Sequence, residues 1–238
     1  MRNYIILNGK NSNEINGLLI QELPPISKPL IRTEVEEIDG RDGDIVTPLG
    51  YSAYDKELTI GLYKDFDVNE VAAYFNSEGT VIFSNEPDKY YYYQITAQID
   101  FERLVRFRTA AVTLHVQPFK YSKEEMARTF NIASGTTSIG ISNNGNIYSK
   151  PRITLYGSGT VNLSLNGSQI FAINFGDSEN YLTIDTALME AYKDTLENLM
   201  NRSIDGDYEH SYLKIGRNTF SWSGELSKIV IENYSRWL

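Results

Sequence analysis

The residues with the greatest potential for chemistry are few and widely spaced in this chain. It has no cysteine and only two histidines, His115 and His210. Cysteine nucleophiles, disulfides and thiolate metal sites are therefore excluded, and two isolated histidines leave little for a zinc site or a histidine-based triad. His115 lies in a run with strand alternation and has no serine or cysteine motif beside it, which favours a surface or interface position over catalysis. His210 lies in a polar turn, and a catalytic role is no better supported there.

The acidic residues offer two further kinds of chemistry. Asp39–Asp44 reads DGRDGD, and a calcium loop needs oxygen ligands at alternate positions and a distant glutamate. Arg41 occupies the position where a second carboxylate is wanted, so a charged loop between two strands is the better interpretation. Paired carboxylates could also hydrolyse glycosides, but nothing places two of them beside aromatic subsite residues. No metal, cofactor or enzymatic activity is predicted.

Two glycine-containing segments in the second half invite interpretation as binding sites. Trp222-Ser-Gly-Glu225 is similar to the Trp and Glu that line the sugar site of galectins. The partner motif His-x-Asn-x-Arg is absent, since the nearby sequence from His210 reads HSYLK, so Trp222 is predicted to belong to the core. Gly157-Ser-Gly159 is predicted to be a turn, because no strand–loop–helix unit surrounds it to cradle a phosphate.

The overall charge excludes several partners. The 238-residue chain has a net charge of −9 and a pI of about 4.8. A fold that grips a phosphate backbone needs a basic stripe, and none is visible, so sequence-specific DNA binding and docking to an anionic membrane are not expected. An acidic surface could instead line a channel through which DNA passes without adhering. No run approaches the roughly 18 apolar residues of a membrane span, and the apolar N-terminal stretch is too short for a signal peptide.

Hydrophobic alternation and turn residues predict a mainly β protein of two domains, 1–125 and 126–238. The first domain is predicted to be a barrel-like antiparallel β-sheet with one short helix. Asp67 and Glu70 provide a capping box for that helix. The predicted strands of the first domain cover residues 3–8, 16–23, 30–38, 57–63, 80–84, 90–99 and 104–116. In the segment 30–38, polar and apolar residues alternate, which predicts a half-exposed strand.

The second domain is predicted to be a small antiparallel sandwich, since short β-type runs are punctuated by Asn-Gly and Ser-Gly. One segment conflicts with this pattern. Residues 185–199 have strong helix propensity and a plausible N-cap at Asp185. A strand through about Tyr192 followed by a turn is nevertheless favoured, because tertiary pairing often overrides propensity.

Three closely spaced arginines are candidates for an interface. If residues 104–116 form a strand, Arg106 and Arg108 share one face with Glu102 and Leu104, while Arg103 lies on the other face. Cross-strand salt bridges within the chain are one explanation of these arginines. A subunit interface, where arginine is favoured, is the alternative.

The order of these pieces resembles phage distal tail proteins of the siphovirus tail family. The two most specific stretches are residues 106–119, which read RFRTAAVTLHVQPF, and residues 151–159, which read PRITLYGSG. Further matches are the Gly-Arg-Asp-Gly loop leading to Tyr51, the short helix, the aromatic strand at 91–97 and the closing Arg236-Trp-Leu238. Each piece is weak alone, and the resemblance rests on their order along the full chain.

This resemblance implies a structural virion protein and no enzyme. The N-terminal domain would form a hexameric ring that continues the tube of a long non-contractile tail, and the C-terminal domain would be a galectin-like β-sandwich. Implied partners are the tail tube protein, a tail-associated lysin or tail fibre protein, and receptor-binding proteins at the side. The protein would be assembled in the host cytoplasm, would reside in the tail tip or baseplate hub, and would let DNA pass through its lumen without specific binding.

Ring formation is expected to use sheet-edge pairing by the long strands at 90–116. The subunit-interface candidates are Tyr91, Tyr93, Arg103, Arg106, Arg108 and His115. The candidates for facing the lumen, where like charge would keep DNA from adhering, are Glu34, Glu36, Glu37, Asp39, Asp42 and Asp44. The main alternative function is a cell-wall carbohydrate-binding module, suggested by the abundant tyrosine and the galectin-like domain. A glycosidase is a weaker alternative.

Overall fold

The computed structural model describes residues 2–75, 77–176 and 180–238. By its internal contacts the chain divides into two compact units, residues 1–123 and residues 124–237. The boundary predicted from the sequence lies two residues further along the chain. The two units are described separately below as the N-terminal unit and the C-terminal unit.

Among its described residues, the N-terminal unit has nine strands, two short α-helices and one 3-10 turn at Ser12–Glu14. Its elements are β1 (Ile5–Leu7), β2 (Lys10–Asn11), β3 (Leu18–Glu22), β4 (Ile31–Glu37), β5 (Asp44–Tyr51), β6 (Tyr54–Leu62), α1 (Val68–Tyr74), β7 (Glu78–Phe83), β8 (Lys89–Gln94), α2 (Phe101–Phe107) and β9 (Thr109–Ser122). Seven strands form an antiparallel sheet with the order β2–β1–β7–β8–β9–β6–β3. Strands β4 and β5 form a separate two-stranded sheet.

The core of this unit follows from strand alternation. In β6, the side chains of Leu58 and Ile60 are buried, and β9 buries Val112 and Leu114 in the same manner. Helix α1 begins where predicted, since the Asp67 side chain accepts a hydrogen bond from the Asn69 amide at 2.8 Å. The apolar face of α1 then packs on the sheet.

Helix α2 replaces the first part of a predicted strand. Residues 101–107 are helical and the strand β9 begins only at Thr109, so the prediction of one strand over 104–116 is wrong for residues 104–108. Asp100 caps the helix by accepting the Arg103 amide at 2.8 Å, and Arg108 ends it in the left-handed region with a φ of 58°. The first domain therefore has two short helices, where the sequence predicted one.

The C-terminal unit is entirely β apart from one 3-10 turn among its described residues. Its strands are β10 (Arg128–Asn131), β11 (Ser138–Asn143), β12 (Arg152–Leu165), β13 (Ser168–Phe175), β14 (Tyr181–Asp185), β15 (Glu190–Lys193), β16 (Thr195–Leu199), β17 (Ile204–Gly206) and β18 (Gly216–Glu232). The path β10–β18–β12–β14–β15–β16 carries β11 on β18 and β13 on β12.

Two long strands bend around the core of this unit. The first part of β12 pairs with β14, its last part pairs with β13, and β18 follows it along both parts with register shifts between. The bend coincides with glycines. A Cβ at Gly157 would lie 2.4 Å from the Glu225 carbonyl oxygen, and one at Gly224 would lie 2.2 Å from that of Thr160. Gly157-Ser-Gly159 is thus an irregularity inside one strand, and the predicted turn is wrong.

The ambiguous segment 185–199 contains no helix. Asp185 accepts hydrogen bonds from the amides of Ala187 and Leu188, both at 3.0 Å, and closes a turn between β14 and β15. A second turn at Asp194 (φ 62°) leads into β16. The strand favoured over the helix is confirmed in type, although a turn interrupts it. Tertiary pairing has overridden helix propensity here.

The mainly β fold predicted from the sequence is confirmed. Trp222 is buried in the C-terminal core, as predicted. In the part of the chain that the structure describes, no helix has the length and apolar character needed to cross a membrane.

Candidate assembly surfaces

The β4–β5 hairpin is the part of the N-terminal unit that contributes least to its core. All seven residues of β4 are exposed, although their alternation predicts one buried face. The prediction of a half-exposed strand is therefore wrong for the isolated chain. Val35 and Val46 pair directly across the hairpin and remain 54% and 56% exposed. A pair of exposed valines indicates a sheet face that is suited to burial and that no described residue covers.

Register gives the hairpin two chemically different faces. Directly paired residues lie on the same face, and alternate residues along a strand lie on the same face. One face, here termed the docking face, consists of Thr33, Val35, Glu37, Asp44, Val46 and Pro48. The opposite face, here termed the acidic face, carries Glu34 and Glu36 opposite Thr47 and Ile45.

The hairpin is also strongly acidic. Residues 31–51 contain six carboxylates and two arginines, which gives a net charge of −4. Glu37 lies directly opposite Asp44, and a like-charged pair in this position destabilises a hairpin. No ion pair within the described residues involves either carboxylate.

Helix α2 also exposes apolar groups, but its charged groups are mainly basic, whereas those of the hairpin are mainly acidic. Residues 101–108 contain three arginines and one glutamate, a net charge of +2. Leu104 anchors the helix in the core, whereas Val105 and Phe107 are 42% and 61% exposed. Arg103 and Arg106 line a groove of about 450 Å³ together with Phe107, Asp100 and Glu102. Neither arginine forms an ion pair with another described residue.

Side chains of the main sheet hold the base of the hairpin. The segment between β3 and β4 offers three carbonyl oxygens, of Pro24, Pro25 and Ser27, to donors from that sheet. The Asn85 side-chain amide donates to Pro24 at 3.0 Å, the Lys56 ammonium to Pro25 at 2.8 Å and the Tyr54 hydroxyl to Ser27 at 3.3 Å. These bonds satisfy backbone groups that have no strand partner and so fix where the hairpin leaves the unit.

The Lys56 ammonium belongs to a buried polar cluster. Glu86 forms an ion pair with Lys120 at 2.7 Å and accepts a hydrogen bond from the Tyr91 hydroxyl at 2.8 Å. Lys56 lies over the ring of Tyr91, with 5.2 Å between its ammonium and the ring centroid. Burial lowers the pKa of Lys56 to about 8, an effect that Lys120 reinforces and Glu86 opposes. Burial also raises the pKa of Tyr91 far above its usual range.

The outer face of the main sheet carries a cluster of tyrosines. Tyr90 stacks on Tyr121 at 5.6 Å between ring centroids, and Tyr92 meets both rings edge-on. A groove of about 320 Å³ runs along these rings, bordered by Ile82 and Lys123.

The structure separates the predicted interface residues into three groups. Tyr91 and Tyr93 point into the core of the N-terminal unit, so their side chains have no surface to offer another subunit and the prediction does not fit them. Arg103 and Arg106 lie on the exposed surface of α2. Arg108 stacks its guanidinium on Phe66 at 4.5 Å, within its own unit.

His115 is paired across the strands β6 and β9. Its Nδ1 lies 2.8 Å from a carboxylate oxygen of Asp55, the residue directly opposite. His210 makes the same kind of contact with Asp207 at 2.5 Å in a turn. Each histidine is thus explained by a neighbouring aspartate, and the described residues bring no nucleophile or group of metal ligands together around either one.

The strands predicted to pair between subunits are central in the sheet. β8 lies between β7 and β9, and β9 lies between β8 and β6, so neither strand is an edge strand of the sheet. The prediction of edge pairing by residues 90–116 is therefore wrong. The free edges of the main sheet belong to β2 and β3, and β4 and β5 each keep one unpaired edge.

All six predicted lumen residues lie on the hairpin and are exposed. Three belong to β4, two to the loop that joins the strands and one to the start of β5: Glu34, Glu36, Glu37, Asp39, Asp42 and Asp44. Their direction relative to a lumen remains a prediction.

The exposed apolar residues were missed by sequence reasoning. The alternation in 30–38 predicts that Val35 lies on the buried face of a strand. Its exposure is evident only from the tertiary structure. For helix α2, the sequence does contain a recognisable helix pattern. Asp100 precedes apolar residues at Phe101, Leu104 and Val105, which is helical spacing behind a good N-cap.

Comparisons with known proteins find similarity to phage tail proteins. Residues 10–116 match the model of the phage tail protein RIFT-related domain. No curated protein matches the chain. The structure is similar to the Dit (gp 19.1) protein of phage SPP1, described as a paradigm of the hub adsorption apparatus in Gram-positive infecting phages. That similarity has 16% sequence identity, covers 100% of both chains and has a TM-score of 0.63.

A second similar structure comes from the baseplate of phage p2 in its activated conformation with Sr. It shares 11% identity, with 97% of each chain covered and a TM-score of 0.51. At these identities the two structures establish a shared fold, and the family match falls within the N-terminal unit. The resemblance to phage distal tail proteins that the sequence predicts is confirmed.

Proposed function

Because residues 10–116 carry a phage tail protein RIFT-related domain, we propose that the chain is a structural hub protein at the tip of a siphophage tail. The observation that carries this proposal is the extent of the similarity to SPP1 Dit, which covers the whole of both chains. A match confined to the N-terminal unit would fit many tail proteins, whereas full coverage includes the C-terminal unit as well.

We propose that six copies form a closed ring that continues the tail tube. The central strands of the main sheet cannot pair with another copy, so the contact must use side-chain surfaces or the free edges. The exposed hairpin and α2 supply such surfaces within every copy. Contacts between two different surfaces of neighbouring copies generate a ring when the rotation closes.

The partners follow from the position of such a ring. One ring face would bind the tail tube protein, and the other would bind a tail-associated lysin or a tail fibre protein. The C-terminal unit, which we propose to be the galectin-like domain, would lie at the periphery beside receptor-binding proteins. The protein would act through binding alone, in the virion, after assembly in the host cytoplasm.

The acidic hairpin is proposed to contribute to the lumen of the ring. Those of its six carboxylates that face the lumen would repel the phosphates of DNA in transit, so DNA would pass without adhering. Imaging of the ring at a resolution that places the hairpin tests this proposal. An inner wall that is neutral or basic would contradict it.

The ring is tested by light scattering of the purified protein over a range of concentrations, followed by negative-stain imaging. Six copies of 27.1 kDa give a particle of about 163 kDa with a central hole. A monomer that persists at all concentrations, and that forms no ring when the cognate tube protein is added, would contradict the proposed function.

Binding of cell-wall carbohydrate is a second candidate function, favoured by the tyrosine groove. The Tyr90, Tyr92 and Tyr121 rings offer flat apolar surfaces, and Lys123 borders the same groove. Binding of purified cell-wall polysaccharide to wild type, and its loss in Tyr92→Ala, would support this function. Equal binding by wild type and variant would remove the groove from consideration.

A further inference from the structure

We propose that the docking face of the hairpin in one copy packs on helix α2 of the neighbouring copy. This inference rests on the proposed ring and assigns the contact that would hold it together. The hairpin supplies an apolar and acidic surface, and α2 supplies an apolar and basic one. Both surfaces belong to the N-terminal unit and are exposed in the isolated chain.

The first argument is that the docking face is incomplete by itself. A two-stranded hairpin with no covering layer is marginally stable in water. The Val35–Val46 pair is more than half exposed, and Glu37 faces Asp44, with neither carboxylate in an ion pair among the described residues. A neighbouring surface that is apolar and carries arginine would both bury the two valines and pair with the two carboxylates.

The second argument is that α2 exposes apolar surface together with the opposite charge. Val105 and Phe107 expose apolar surface next to Arg103 and Arg106, which have no carboxylate partner among the described residues. The groove of about 450 Å³ beside these arginines, which Asp100 and Glu102 also line, can accept a side chain from outside. Charge complementarity therefore selects the hairpin as its occupant, because residues 31–51 carry a net charge of −4 and residues 101–108 a net charge of +2.

The dimensions of the two surfaces agree. Neighbouring rungs on one face of a hairpin are separated by two residues, or about 6.6 Å, so the valine rung and the carboxylate rung are about that far apart. A seven-residue helix is about 10 Å long, and Arg103 and Arg106 lie about 4.5 Å apart along its axis. Both rungs can therefore contact α2 together.

This arrangement gives the two hairpin faces separate roles. With the docking face against the neighbour, Glu34 and Glu36 on the acidic face are left for the lumen. Because the hairpin and α2 are different surfaces, the contact is heterologous, and each copy offers one of each to a closed ring.

Charge reversal on each surface tests the contact. The hairpin variant combines Glu37→Lys with Asp44→Lys, and the helix variant combines Arg103→Glu with Arg106→Glu. Each variant alone would place like charges across every contact, so we expect monomers near 27.1 kDa where wild type forms rings of about 163 kDa. An equal mixture should form rings again, because alternation around six positions makes every contact either native or doubly reversed.

The matched control is Glu34→Lys with Glu36→Lys, which makes the same charge change on the acidic face of the same strand. It should still form rings. Circular dichroism with thermal unfolding verifies that every variant is folded before its mass is measured.

The outcomes separate this inference from the proposed function. Rings in both reversal variants, or no rings in their mixture when each is folded, would overturn the docking contact and leave the ring itself intact. A wild type that remains monomeric alone and with the tube protein would overturn the ring and the docking contact together.

Discussion

The main sheet and the β4–β5 hairpin of the N-terminal unit share a strand pairing mode and differ in every other respect. The sheet buries alternate residues of β6, β8 and β9 against a common core. The hairpin buries almost nothing, although it shows the same apolar alternation. Pairing alone thus does not stabilise a strand, since burial of one face provides most of the favourable free energy.

The difference indicates where each element obtains its stability. Residues of the sheet are stabilised by contacts made within the monomer, so their substitution should lower the free energy of unfolding. Residues of the hairpin are expected to be stabilised by a neighbouring copy, so their substitution should leave the monomer intact and affect assembly. The following experiments test this contrast.

Removal of a large core side chain should have the greatest effect. Phe83 is fully buried and packs edge-on against Tyr91 at 5.8 Å between ring centroids. We expect Phe83→Ala to lower the free energy of unfolding by about 3–5 kcal/mol, measured by chemical denaturation. Val46→Ala in the hairpin should change it by less than about 0.5 kcal/mol. A similar loss in both variants would show that the hairpin belongs to the monomer's core.

Removal of the buried carboxylate at the hairpin base should have the next largest effect. Glu86 is the anionic partner of Lys120, and both side chains are largely buried. Glu86→Ala would leave a buried charge without compensation and should cost about 3 kcal/mol in the same assay. Asp88→Ala, which breaks an exposed pair with Lys89, is the control and should cost less than about 1 kcal/mol. Equal losses would argue against an important buried cluster.

The pH dependence of stability should report Lys56. Its pKa falls from the usual 10.5 to about 8 on folding, so between these values the unfolded chain binds more protons than the folded protein. Stability from this group must therefore rise with pH across that window, and the penalty of burying the charge is fully present below pH 8.

Lys56→Met removes this contribution while keeping an apolar side chain. We expect the stability of wild type relative to Lys56→Met to increase from pH 7 to pH 9.5, measured by denaturation at each pH. The groups facing Lys56, namely Glu86, Lys120, Tyr91 and Tyr54, are common to both proteins. A constant difference across this range would contradict the assignment.

The smallest expected effect lies in the hairpin. Glu37→Lys converts a like-charged cross-strand pair with Asp44 into an opposite-charged one. In the monomer it should stabilise the hairpin by roughly 0.2–1 kcal/mol, seen as slower amide hydrogen exchange in β4 and β5. Glu34→Lys, opposite the uncharged Thr47, should leave exchange nearly unchanged. Faster exchange in Glu37→Lys would contradict the register-based explanation.

Helix α2 and the segment 185–199 show how far local sequence could be interpreted. In 185–199 helix propensity is strong, but pairing of β14, β15 and β16 decides the conformation. In 101–107 the helix has both a cap at Asp100 and helical spacing. The strand prediction is wrong here because it starts the strand at residue 104, inside the helix. The conformation of 185–199 depends on residues distant in the sequence, whereas the helix at 101–107 could be predicted from its own sequence.

The candidate surfaces also show which properties local sequence predicts and which depend on tertiary pairing. Sequence reasoning selected Arg103, Arg106 and the six hairpin carboxylates, because closely spaced charges of one sign are visible in the sequence. It could not separate Tyr91 from Tyr92, which are adjacent in the chain and lie on opposite faces of β8. Which face meets the core depends on the register with β7 and β9.

The sequence by itself determined the mainly β class, the capped helix at Asp67 and the acidic character of the hairpin. These properties depend on local alternation, capping residues and composition, all of which act over a few residues. Tertiary structure alone decided that β8 and β9 are central, that the apolar side of β4 is uncovered, and that α2 lies exposed with its arginines unpaired. Burial is a property of what packs above a residue, and the packing layer is always distant in sequence.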